Sequence, residues 1–68
     1  MAVKIGPTVY ESREVTGLRG GRAVRTWDLC NNRGDRSGLF QYEDGSFKRV
    51  TMSNEYRLDA DAVAFVGD

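Results

Sequence analysis

A chain of 68 residues, with ten Lys or Arg against ten Asp or Glu, no His and one Cys, has room for a single domain with a small core. The lack of His and the lone Cys30 exclude a zinc finger, a Cys–His nucleophile and an internal disulfide framework. A formal charge of zero argues against a protein built to coat or package duplex DNA, and 40% hydrophobic residues argue against a disordered chain.

A reducing compartment is the natural setting for one unpaired Cys. Residues 1–7 lack the apolar run of a signal peptide, and no stretch approaches the ~20 apolar residues of a membrane span. The chain therefore reads as soluble and cytoplasmic, with no membrane contact. At this size, apolar burial and conformational entropy nearly cancel, so a partner surface adds more to stability than it does for a larger domain.

Val3 and Ile5 flank Lys4 in a short alternating run stopped by Gly6-Pro7, which reads as an edge strand. Thr8 to Ser12 either extends this strand past a bulge or begins a second. Alternation is clearer through Glu14-Val15-Thr16, and Arg19-Gly20-Gly21-Arg22 follows as a glycine turn. Residues 23–30 read as the longest strand; apolar side chains fall on both of its faces, as in strands that bend between sheets of a small barrel. Residues 31–38 hold no large apolar side chain and read as an eight-residue loop, a common place for function.

Residues 38–52 carry the strongest local signal, a hairpin centred on Asp44-Gly45. A two-residue type I′ turn there pairs Tyr42 with Phe47 and Phe40 with Arg49, the second pair offering a cation–π contact. Tyr42 and Phe47 are then expected to face inward, and Gln41 and Lys48 outward. Ser53-Asn54 makes a further turn, and residues 55–58 a short strand. Residues 59–66 admit a helix capped by Asp59 or a buried final strand; one helical turn at 59–62 followed by a strand is the preferred reading, because the run before Gly67 is short for a helix. Together these elements predict an all-β fold, a small single-domain roll or SH3-like barrel of five to six short antiparallel strands occupying residues 1–68.

Charge is unevenly placed. Residues 13–36 hold six Arg against Glu14, Asp28 and Asp35, while residues 37–68 carry six acidic groups against Lys48, Arg49 and Arg57. Such asymmetry suits an acidic partner for the basic half, or simple neutralisation across one small fold. Arg19-Gly20-Gly21 is one copy of a tripeptide that binds RNA in tandem, and its place suits a turn. Arg33-Gly34-Asp35 matches an adhesion tripeptide, but nothing indicates export, and chance accounts for it. No paired carboxylates, phosphate-cradling loop or activated nucleophile is present, so neither catalysis, a cofactor nor a metal is expected.

Binding is the function class that remains. One expectation is a regulator or inhibitor, of a size common among phage and mobile-element products, docking on a larger protein assembly. Arg19, Arg22, Arg25, Arg33 and Arg36 would meet an acidic patch, with an exposed aromatic such as Trp27 or Tyr42 as the anchor. The alternative is single-stranded DNA or RNA, held by the same arginines with interleaved aromatics (Trp27, Phe40, Tyr42 and Phe47), or by a face made of Phe40, Tyr42, Phe47 and Arg49.

Overall fold

The computed structural model describes residues 1–15 and 23–66. Among the described residues there are seven strands: β1 (Ala2–Ile5), β2 (Thr8–Val15), β3 (Arg25–Cys30), β4 (Arg36–Gln41), β5 (Phe47–Val50), β6 (Glu55–Leu58) and β7 (Val63–Val66), with a 3-10 turn at Ala60–Ala62. All pair antiparallel in one sheet of order β6-β5-β4-β3-β2-β1-β7. The sheet curls into a half-barrel, bringing Phe65 of β7 to 4.9 Å from Trp27 of β3 and 6.3 Å from Phe47 of β5 between ring centroids.

The all-β roll is as expected, with seven strands in place of five or six. The additional strand arises because Gly6 turns at φ +60, separating β1 from β2 as distinct strands; residues 63–66 form the expected strand after the single 3-10 turn. That final strand also corrects the reading of β1 as an edge: β1 lies between β2 and β7, with Val3 opposite both Tyr10 and Phe65. The edges are β6 and β7. The longest strand is β2 and not residues 23–30, of which 25–30 are strand.

Period-two alternation decides the two faces of the sheet. The inner face gathers Val3, Ile5, Trp27, Leu29, Leu39, Phe47 and Val63 into one buried cluster, with Tyr10 and Leu58 packed against it. Thr26, Asp28, Phe40, Lys48 and Arg57 alternate to the outside.

The β4–β5 hairpin forms one residue out of the expected register. Gln41 pairs with Phe47 and Phe40 with Lys48, so the loop holds three residues, Glu43 to Gly45, closed by Tyr42 N–H donating to Ser46 O at 2.9 Å. Gly45 N–H returns to Tyr42 O at 2.9 Å, and Gly45 alone is left-handed, at φ +91. A type I′ turn needs two left-handed residues, one of them Asp44. The three-residue turn needs only the glycine, and it frees the Asp44 carboxylate to accept Ser46 N–H and Oγ–H at 2.9 and 2.6 Å. A one-residue slip exchanges faces. Phe47 is therefore inside with Leu39, Tyr42 faces the opposite way, and Arg49 is carried inward with Phe47. The Gly45→Ala substitution should cost about 1–2 kcal/mol through backbone strain at this position, measurable as a lower urea midpoint with unchanged slope.

Candidate functional site

In a meander, alternate turns fall at the same end. The β3–β4 and β5–β6 turns share one end of the half-barrel, while the β4–β5 turn and the 3-10 turn share the other, where Gly45 approaches Ala60. The arginines expected to act together are divided by this arrangement. Arg19 and Arg22 lie outside the described residues; Val15 and Ala23, which flank that segment, belong to the end opposite the β3–β4 turn.

Arg25 is engaged within the fold. Its Nε and Nη2 donate to the two carboxylate oxygens of Glu14 at 3.0 and 2.8 Å, and its guanidinium lies 5.0 Å above the Trp27 ring. The bidentate hydrogen bond holds Glu14 below its ordinary carboxylate range and raises Arg25. Trp27 is not an exposed anchor. It is 1% exposed, opposite Leu39 on one side and Glu14 on the other, because the inner face of β3 is the centre of the sheet.

Arg33 and Arg36 remain exposed, and among the described residues neither has a carboxylate within ion-pair distance. The segment carrying Arg33 is not the eight-residue loop expected from composition. It is a tight hairpin turn built like the β4–β5 turn, with Gly34 N–H donating to Asn31 O and Asn31 N–H to Asp35 O, both at 3.1 Å. Asn31 fixes it from within: its Oδ1 accepts the N–H of Arg33 and of Asp35 at 2.9 Å each, and its Nδ2 donates to Asp35 Oδ2 at 3.2 Å. Gly34 takes the single left-handed position, at φ +88. The Arg33-Gly34-Asp35 tripeptide is thus turn chemistry, and it presents Arg33 at a fixed tip.

The adjacent β5–β6 turn is equally tight. Thr51 N–H donates to Asn54 O at 2.8 Å, and the Thr51 hydroxyl both donates to Asn54 O and accepts Asn54 N–H, at 3.2 and 3.1 Å. Met52 at its tip is 99% exposed, and Tyr56 on the following edge strand is also exposed. Sequence reasoning passed over Met52, for an isolated Met between polar residues carries no periodicity; the turn alone makes it prominent.

The alternative face does not form. Phe47 and Arg49 are buried on the inner side, while Phe40 and Tyr42 are half-buried on the outer side. Phe40 lies along Gly38, where an added Cβ would meet its ring at 3.3 Å. Instead of meeting Phe40, Arg49 stacks 4.4 Å above the ring of Tyr10.

At the opposite end, Val24, Tyr42, Glu43, Asp44, Lys48 and Arg57 line an open groove of about 720 Å³. Three of its four charged side chains have partners among the described residues. Lys48 meets Glu55 at 3.2 Å, which raises the Lys48 ammonium, and Arg57 lies 3.9 Å from Asp44. The Ser46 hydrogen bonds, more than Arg57, hold the Asp44 carboxylate below its usual range.

No family model, curated protein or solved structure matches the chain. Among the described residues no three His, Cys, Asp or Glu side chains gather as a metal site, and no helix is long and apolar enough to cross a membrane.

Proposed function

We propose that this chain is a non-enzymatic binding protein, a regulator or inhibitor that docks on a larger protein assembly at the end carrying the β3–β4 and β5–β6 turns. The observation that carries the reading is the pair of exposed, unpaired guanidinium groups, Arg33 and Arg36, beside a turn fixed internally by Asn31. A turn already ordered in the free protein loses little entropy on binding, and two arginines with no counter-charge among the described residues suit an acidic patch on the partner. Met52 takes the apolar role first expected of Trp27, because it projects fully at the neighbouring tip and its flexible side chain adapts to an uneven surface.

Capture from a lysate of the source organism, using the wild type and Arg33→Glu/Arg36→Glu, tests the reading. Charge reversal should remove at least one partner that the wild type retains; identical partner sets would exclude this end as the contact. The nucleic-acid alternative has less support, since Trp27 and Phe47, two of its aromatic platforms, belong to the core. An oligonucleotide titration at ~50 mM salt checks it directly: phosphate contacts release counterions, so real binding weakens steeply as salt rises.

A further inference from the structure

One cation lies inside the proposed docking end without a counter-charge among the described residues. Arg49 is 6% exposed. It leans from its rung opposite Leu39 toward the start of β4, where its Nε and Nη2 donate to the single oxygen of Ser37 at 3.2 and 3.1 Å. Its Nη1 reaches the Tyr56 hydroxyl at 3.5 Å, and its plane rests on Tyr10. Ser37 and Tyr56 are neutral acceptors, and among the described residues no carboxylate lies within ion-pair distance of the guanidinium. Of the five N–H groups a guanidinium carries, two have no acceptor among those residues.

A buried charge is retained at a cost unless it is paired, and an unbranched apolar side chain of similar length would fill the same space. The planar fork of Arg matches the two oxygens of a carboxylate. The cover over it is also the least secured of its neighbours: Tyr56 belongs to an edge strand, is 44% exposed, and makes the longest of the three hydrogen bonds. Swinging that ring outward uncovers Nη1 without disturbing the sheet.

We propose that Arg49, Ser37 and Tyr10 form a receptor for one carboxylate, supplied by an acidic side chain of the partner, with Tyr56 as its displaceable cover. This rests on the reading of this end as the docking surface and deepens it: the acidic patch that meets Arg33 and Arg36 would insert one of its carboxylates beneath Tyr56. A singly charged carboxylate balances one guanidinium, whereas a phosphate dianion would leave surplus charge in a largely buried site.

The test requires no partner. The full chain is titrated with acetate, with acetamide as a neutral isostere and chloride at matched ionic strength, while the Arg49 Nε–H and the Ser37 and Tyr56 amides are followed by NMR. Acetate should shift these signals saturably, and acetamide and chloride should not. Arg49→Gln should weaken acetate binding by about tenfold or more, the share of a charge-assisted hydrogen-bonded pair. Tyr56→Phe, which keeps the fold and removes one competing hydroxyl contact, should strengthen it. A non-saturable acetate response, or the same response to chloride, overturns the receptor whether or not Arg49→Gln folds. Saturable acetate binding by Arg33→Glu/Arg36→Glu would uphold the receptor even if lysate capture had excluded the docking end, so the two claims fail separately.

Discussion

Replacing Trp27 with alanine should leave most of the chain unfolded at room temperature. Trp27 is 1% exposed and is the side chain on which the two flanks of the curled sheet meet, 6.2 Å from Phe47 and 4.9 Å from Phe65 between ring centroids. Truncating a buried aromatic costs about 3–5 kcal/mol. Single domains are stable by about 0.05–0.15 kcal/mol per residue, so the loss is comparable to all that a chain of this size possesses. Trp27→Phe keeps an aromatic ring in the layer and should remain folded with a lower urea midpoint. Far-UV circular dichroism and urea titration separate the outcomes. A cooperative transition for Trp27→Ala within about 1 kcal/mol of wild type would show that Trp27 is not central to the core.

The hairpin register yields the second large effect. Phe47 is 4% exposed on the inner face, whereas Tyr42 is half-buried on the outer one. Phe47→Ala should therefore cost about 3–5 kcal/mol, while Tyr42→Ala should cost roughly 1 kcal/mol, the scale of an outward side chain at a groove. If the two residues instead faced each other on one surface, their truncations would be similar in cost. Equal losses in paired urea titrations would contradict the observed register.

Much of the fold was legible because alternation and turn residues are local signals. Val3 and Ile5, residues 55–58, and the single helical turn followed by a strand at 59–66 all fell where such signals placed them. Two features were not local. Asp44-Gly45 fits both a two-residue and a three-residue loop, and the choice depends on which register buries Phe47 against Leu39, a contact between strands. Likewise the composition of residues 31–38 could not reveal that Asn31 bonds across its own turn, which converts a presumed open loop into a fixed hairpin tip.

The candidate site was less legible for the same reason. Six arginines in one stretch look like one surface, but strand alternation and antiparallel topology distribute those described among different tasks. Arg25 pairs with Glu14, Arg13 lies 3.7 Å from Asp28, and only Arg33 and Arg36 are left to face outward unpaired among the described residues. Trp27 looks like an anchor in the sequence because apolar side chains fall on both faces of residues 23–30, and only the sheet shows which face of β3 is inside. The expected register sets Arg49 opposite Phe40; the one-residue change puts Phe40 and Tyr42 on the outer face and leaves Arg49 inside opposite Leu39, where its charge is conspicuous.

The claim that the turn end is the docking surface is tested most directly by two charge reversals at opposite ends of the half-barrel, measured against the same captured partner. Arg33→Glu/Arg36→Glu alters the proposed contact, whereas Lys48→Glu/Arg57→Glu alters the groove by the β4–β5 turn. The first should weaken partner affinity by about tenfold or more and the second by less than about twofold. The opposite ranking, with the groove variant losing the partner and the turn variant keeping it, would contradict the proposed docking end.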